Sequence, residues 1–291
     1  MKLILSTIFT LFTITILFSQ IGGNQVYKNR NNINRFDKSI SNFSSTDSTV
    51  TINVNILLNQ TADKYILTLG VNQNGKNPKE CLAQINKRID SFITNSKKIG
   101  IKKEDIYVDF ITQTKIFDFE VKSNNVEQIE NGFEIKKNII IKVDKYENIE
   151  KLISEASVYQ IYDVIKVDYL NDNTELIYEN LLNEAKLILD KKKQNYFKIF
   201  NRKLIGQPRA NDNFYYLFPK SQYQEYSAYE SSELDNYPSS IIKKIARKNK
   251  TFYFEGIDYS GFDKVINNSN PTVAIQYILN LTVVYDIEKN L

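Results

Sequence analysis

Residues that could carry out chemistry are few in this chain. Its 291 residues include no histidine and a single cysteine, Cys81. Histidine is the side chain most often used for proton transfer near neutral pH and the commonest metal ligand. Serine–histidine–aspartate, cysteine–histidine and zinc–histidine chemistry are therefore excluded. A lone cysteine can form neither an intramolecular disulfide nor a cysteine-clustered metal site, so we expect Cys81 to be a small apolar core residue.

The carboxylates do not form a recognisable catalytic pair. Glu175, Glu179 and Glu184 lie along one predicted helix, but their spacings do not stack all three, and no matching pair indicates a glycosidase. An enzyme without histidine would need a carboxylate, lysine or tyrosine mechanism, and no constellation here demands one. We predict that the protein is not an enzyme and has no catalytic, cofactor-binding or metal site.

Two further charged positions favour structural roles. Asp63 precedes a predicted strand, where a short carboxylate can accept backbone N–H groups in a tight turn. This interpretation is favoured over a ligand contact. The run Lys102–Asp105 (KKED) is interpreted as a solvated turn.

A basic run and a tyrosine-rich tract could bind partners. The run, followed closely by aromatic residues, could bind anionic lipid headgroups or nucleic acid, but such runs are usually a solvated face. The tract Pro208–Pro238 could bind glycans or a protein through its rings, or it could be a loop ordered only on assembly. The basic residues are Lys243, Lys244, Arg247, Lys248 and Lys250, and the tyrosines are Tyr215, Tyr216, Tyr223, Tyr226, Tyr229 and Tyr237.

Composition is typical of a globular protein. The hydrophobic fraction of 42% is enough for a core, and 38 basic against 34 acidic residues give a net charge of +4. That balance does not indicate nucleic acid binding, and we expect no nucleic acid partner.

The N-terminal residues resemble an export signal. One basic residue, Lys2, precedes an apolar run from Leu3 to Phe18, which predicts a signal peptide over residues 1–20 cleaved near Ser19 or Gln20. An uncleaved anchor helix is the alternative, and association with a membrane surface without spanning is also open. Residues 21–49 are predicted to be a polar linker or arm.

Strand-like and helical patterns of apolar residues follow one another along the rest of the chain. The clearest strand is Asn131–Val143, whose Ile135, Ile139, Ile141 and Val143 share one face. Helices are predicted at Pro78–Ser96, Asp144–Val158 (with Asp144 as N-cap) and Thr174 to about Phe200, with a short basic helix at Ile241–Lys250. Further strands are predicted at Val50–Leu58, Tyr65–Val71, Ile106–Val121 (with a bend or bulge around Ile111 to Phe117), Ile161–Leu170 and Ile275–Asp286.

These elements predict an α+β fold. We expect one mixed, largely antiparallel sheet with helices packed on one face, in a single domain over residues 50–287. The first two strands are expected to be neighbours, residues 124–132 a polar loop, and residues 207–270 an irregular insertion before the last strand.

The order of elements resembles that of the SIMPL-domain family, the YggE-like envelope proteins of bacteria. Ala62-Asp63 stands where the family commonly has Pro-Asp, followed by YILTLGV. The run Gly100–Ile106 (GIKKEDI) resembles the family's helix-to-strand turn, and Asn131-Gly132-Phe133 resembles its Gly-Tyr strand start. Glu184-Ala185 and the run NPTVAIQYILNLTVVYDI resemble the long helix and the closing strand. The departures are Ala62, a long helix poorer in alanine, and an insertion that matches no family motif.

The resemblance implies a periplasmic or otherwise exported envelope protein that can assemble into rings or larger oligomers. It implies no catalytic mechanism. Our first hypothesis is therefore a non-enzymatic envelope protein that acts through self-association or a protein partner, with a role under envelope stress. The alternative is a ligand- or glycan-binding module that uses the tyrosine-rich insertion.

Overall fold

The computed structural model describes residues 43–122, 125–227 and 250–288. The predicted signal peptide, nearly all of the predicted arm and most of the basic run lie outside these residues. The chain divides into two compact units by its contacts. The larger comprises Lys38–Gln222 and Gly256–Leu291, and the smaller includes Tyr223–Glu255.

The described residues form eleven strands and three α-helices. The helices are α1 (Pro78–Ser96), α2 (Glu147–Val158) and α3 (Thr174–Phe200). The strands are β1 (Phe43–Ser45), β2 (Thr49–Gln60), β3 (Lys64–Gly75), β4 (Ile106–Lys122), β5 (Asn125–Val143), β6 (Asp163–Leu170), β7 (Leu204–Leu217), β8 (Tyr223–Ser227), β9 (Lys250–Phe254), β10 (Lys264–Ile266) and β11 (Ile275–Ile287).

One four-stranded sheet, here called the central sheet, has the order β4-β5-β3-β6, and all its pairs are antiparallel. With α1 and α2 it follows the β-α-β-β-α-β order of a ferredoxin-like motif. Asn77 caps α1 by accepting the N–H of Glu80, and Pro78 occupies the first turn, where its missing N–H costs nothing. The apolar stripes of both helices pack on the buried face of β5.

The second large sheet, here called the terminal sheet, contains the first and last strands of the larger unit. β11 lies between β2 and β7, and β1 and β10 both pair with the other edge of β2. α3 packs across it, with Leu181 and Ala185 against β2 and β11. Near its C-terminus, Tyr196 packs with Val50 and Val283. Two sheets with helices packed against them bury the core of this unit.

The α+β class with antiparallel sheets is confirmed, but the single sheet is wrong. β2 and β3 are not neighbours, because the chain crosses between sheets at residues 61–63, where the N–H of Asp63 bonds the carbonyl of Leu170 on β6. β11 returns to β2 and not to β5. Alternation reports that a strand has a buried face, and it carries no information about which strand lies beside it.

The stretch expected to be irregular contains regular structure. Residues 204–217 form β7 along the whole of β11, and β8 pairs with β9 in the smaller unit. The sequence of β7 is polar because β7 is the edge strand of its sheet and most of its side chains are exposed. At the N-terminal side, residues 43–45 of the predicted arm form β1, which pairs with β2.

Other local predictions are corrected or confirmed. Residues 125–132 belong to β5 and are not a loop. Tyr146, without a side-chain cap, precedes α2 in place of the expected Asp144. The irregularity predicted in β4 is confirmed, since its pairing with β5 shifts at Ile111 and again between Ile116 and Phe117.

Candidate functional surfaces

Cys81 is fully buried on α1, and its thiol contacts the carbonyl oxygen of Phe133 at 3.4 Å. Burial raises the pKa of this thiol, and the neighbouring Glu80 carboxylate raises it further. A buried thiol held in its neutral form is a poor nucleophile. Cys81 is therefore a core residue that packs α1 against β5. No group of three or more potential acidic or thiol metal ligands occurs in the part of the chain that the structure describes.

Asp63 connects the segment between β2 and β3 to the turn between β6 and α3. Its carboxylate accepts the N–H of Asp172 at 3.0 Å, and its own N–H is shared between Leu170 O and the side-chain oxygen of Asn171. Asn171 in turn donates to the Tyr277 hydroxyl at 3.2 Å. These bonds tie the β2–β3 crossing to the β6–α3 turn, so the side chain holds backbone from a distant segment as well as its own.

The acidic residues of the Lys102–Asp105 turn do not all face solvent. The Asp105 carboxylate binds the Lys142 ammonium of β5 at 2.6 Å, and this hydrogen bond lowers the pKa of Asp105. The contact attaches the turn to the central sheet. Among the helix glutamates, Glu184 pairs with Lys264 of β10 at 2.7 Å on the surface.

The structure contains a buried ion pair, Lys192 with Asp263, that the sequence did not predict. The ammonium of Lys192 lies 2.6 Å from the Asp263 carboxylate and donates to the carbonyl of Asn53 at 2.6 Å. The other Asp263 oxygen accepts the N–H of Asn55, and the two side chains are only 10% and 8% exposed. Lys192 lies in a run of three lysines, a pattern that by its charge predicts a solvated helix face. Its spacing of four residues from both Ile188 and Tyr196 was the signal that it points inward.

The predicted tyrosine pocket is divided among different places. Tyr215 and Tyr216 lie on β7, where Phe214 stacks on Tyr277 with ring centroids 6.0 Å apart. Tyr223 lies in the smaller unit, and Tyr229 and Tyr237 lie outside the described residues. Tyr216 and the following Phe218 form an edge-to-face pair at 5.4 Å, and both remain substantially exposed.

An exposed apolar surface lies on the β4–β5 hairpin. β3 pairs with β5 from Val143 to Phe133, and beyond Phe133 the described residues show β5 paired with β4 only. We call this projecting part, Ile116–Lys122 with Asn125–Gly132, the ribbon. Its seven or eight residues per strand extend about 25 Å.

The two faces of the ribbon differ in chemistry. Cross-strand pairs place Phe117, Phe119, Val121 and Val126 on one face, where they are 47% to 71% exposed. Gln128 and Glu130 lie on this face too, opposite Phe119 and Phe117, and the Glu130 carboxylate is paired with Lys115 at 2.8 Å. Asp118, Glu120 and Glu127 alternate onto the opposite face with Ile129. The surface was not predicted, because residues 124–132 were expected to be a polar loop, although the alternation from Phe117 to Val121 indicates an apolar strand face.

The fold thus defines an α+β protein with two large, mainly antiparallel sheets and a projecting amphipathic ribbon. The SIMPL family model, described as a protein of unknown function (DUF541), matches residues 45–239, well over half of the chain. The chain belongs to the SIMPL family. The match ends before β11, which the resemblance in sequence had included. No curated protein matches the chain significantly. Within the described ranges, no helix is long and apolar enough to cross a membrane.

Proposed function

We propose that this protein is a non-enzymatic, exported envelope protein that acts by self-association through the ribbon and supports the envelope under stress. The observation that carries the proposal is the exposed apolar face of the ribbon. Large contiguous apolar patches are uncommon on monomeric soluble proteins and mark interaction sites. The signal-like N-terminus supports export.

The geometry of the ribbon favours pairing with a second copy. A two-stranded hairpin without a third strand is marginally stable in water, so a ribbon of this length gains stability when its apolar face is covered. One edge of the ribbon is β4, which is also the edge strand of the central sheet. The other edge is the part of β5 before Phe133, where β3 no longer pairs with it. Such edges offer backbone N–H and C=O groups to another strand. Two ribbons that face each other would bury their apolar side chains against each other.

The acidic back of the ribbon adds specificity. Asp118, Glu120 and Glu127 on this face disfavour burial. A partner should therefore cover only the face that carries Phe117 and Phe119. This asymmetry limits uncontrolled stacking of ribbons and favours a defined assembly.

The test is the mass of the particle in solution. A chain starting at Ile21, which keeps every described residue, is measured by size-exclusion chromatography with light scattering over a wide concentration range. We expect an oligomer for the wild type and a shift to monomer for the double variant Phe117→Ser, Phe119→Ser, since it removes two rings from the apolar face. Circular dichroism checks the fold of the variant.

The matched control removes two exposed apolar side chains elsewhere. Val158 and Tyr162, each 69% exposed, lie beside the end of α2. The double variant Val158→Ser, Tyr162→Ser should keep the wild-type mass. A wild-type chain that is monomeric at all concentrations, or a ribbon variant that keeps its oligomeric mass, would contradict the proposal.

The alternative function, glycan binding, rests on the exposed pair Tyr216 and Phe218. Sugar rings pack on exposed aromatic faces, and the pair presents two neighbouring rings set edge to face. Deleting Pro208–Pro238 would remove most of β7, so point variants are the sharper test. Under this alternative, chito-oligosaccharides bind the wild type in calorimetry, Tyr216→Ala loses at least tenfold in affinity, and Tyr107→Ala, an exposed tyrosine on β4, does not. Absence of binding to the wild type argues against it.

A further inference from the structure

The C-terminal end of α3 presents a second apolar surface, distinct from the ribbon. Phe197, Ile199 and Phe200 in the last turn, with Ile205 at the start of β7, are 46% to 65% exposed. The helix ends at Asn201, which has the left-handed conformation and donates its N–H to Phe197 O. We call these four side chains the helix tip.

Basic residues are concentrated in the segment that contains the helix tip. The segment from Lys191 to Lys203 contains six basic residues and no acidic one. Lys192 is occupied by the buried pair with Asp263. The other five are partly or fully exposed, and we call them the basic rim: Lys191, Lys193, Lys198, Arg202 and Lys203.

Few carboxylates offset this rim. Asp190 approaches Lys193 at 3.7 Å, and Asp286 is engaged by Arg209 at 2.9 Å. Glu288 lies beside the rim, since its N–H bonds the carbonyl of Lys203. The rim therefore keeps an excess of positive charge.

A cavity at the helix tip combines the two chemistries. It has a volume of about 340 Å³ and is lined by Phe197 and Leu204 together with Lys193, Gln194 and Lys198. The ammonium of Lys193 also lies 5.2 Å from the centre of the Tyr285 ring. Apolar side chains and basic residues therefore line the same open cavity, which suits the boundary between lipid hydrocarbon and phosphate.

The described part of the chain begins at the same place. Phe43, the first described residue, packs edge-to-face on Tyr196 at 5.4 Å and on Phe200 at 5.5 Å. These contacts fix the last turn of α3, so the exposed side chains of the helix tip stand on a rigid base.

From these observations we infer that the helix tip docks on an anionic lipid surface. Aromatic and aliphatic side chains enter the headgroup region while the basic rim pairs with lipid phosphates, and the two contributions add. The occupant is a membrane and not a second copy, because a basic rim would face the same basic rim across a symmetric interface. The inference is independent of self-association through the ribbon.

The experiment measures co-sedimentation of the chain starting at Ile21 with vesicles of phosphatidylethanolamine and phosphatidylglycerol, and with vesicles of phosphatidylcholine alone. We expect binding to the anionic vesicles that weakens with added salt. Phe197→Ser with Ile199→Ser, and separately Lys198→Gln with Lys203→Gln, should each reduce partitioning about tenfold or more.

Two controls separate this inference from general effects. Lys97→Gln with Lys98→Gln removes two exposed lysines at the end of α1 and should leave binding unchanged. The ribbon variant Phe117→Ser, Phe119→Ser should also bind vesicles, so failure of the self-association proposal leaves this one intact. Unchanged binding by both tip variants, no anionic preference, or a change of oligomeric mass in the tip variants in place of lipid binding would overturn the inference.

Discussion

Replacing Asp263 with alanine is expected to lower the free energy of unfolding by about 3–5 kcal/mol, the cost typical of removing one partner from a buried ion pair. The Lys192 ammonium would stay buried with only the Asn53 carbonyl at hand, and the Asn55 N–H would lose its acceptor. Urea unfolding followed by circular dichroism measures the change.

The surface pair next along the chain is the control. Glu184→Gln breaks the Lys264–Glu184 contact, whose partners are far more exposed, and should cost less than about 1 kcal/mol. The double variant Lys192→Met, Asp263→Ala should recover part of the loss, since no unpaired charge remains buried. Equal losses for Asp263→Ala and Glu184→Gln would show that the buried pair is not coupled as the contacts indicate.

Replacing Gly132 with alanine is expected to cost about 2–3 kcal/mol through backbone strain and steric conflict. Gly132 has φ +123° where the ribbon leaves the central sheet, and a Cβ there would lie 2.6 Å from the carbonyl oxygen of Gly75. Relief of that contact requires β3 and β5 to move apart. Thermal unfolding and the particle mass are the measurements, because a displaced ribbon should also weaken self-association.

Gly100 supplies the matched comparison. It also has a positive φ, +91°, but a Cβ there meets nothing within 4 Å. Gly100→Ala should therefore carry the conformational cost alone, about 1 kcal/mol. If both alanine variants lose the same stability, the contact with Gly75 contributes nothing, and the ribbon has freedom to adjust.

Local elements were predictable because their signals are local. The bounds predicted for α1 and α3 are the observed ones, since Pro78 and the cap at Asn77 start the first helix and a 3.6-residue apolar stripe runs along both. The buried face of β5, with Ile135, Ile139 and Ile141, follows from strict alternation. The alternation of apolar and polar residues could not be recognised in β7 and in the outer half of β5, because side chains on both faces of these strands are exposed.

The candidate surfaces were harder to predict than the elements. Phe117 and Phe119 belong to a predicted strand, but only the strand pairing shows that β3 ends at Gly75 and leaves them uncovered. The charge of the lysine run 191–193 likewise gives no sign that Lys192 is buried while its two neighbours are not. Whether a side chain is covered depends on what lies opposite it, and those neighbours come from distant parts of the chain.

The amino-acid sequence by itself determined the absence of histidine chemistry, the helices, the faces of most strands and the resemblance to the SIMPL family. The tertiary structure alone decided that β2 pairs with β11 across more than 200 residues, that Asp263 meets Lys192, and that the ribbon projects with an open apolar face. The physical reason is that periodicity records which side of an element is buried, whereas the choice of partner is made by the packing of the whole chain.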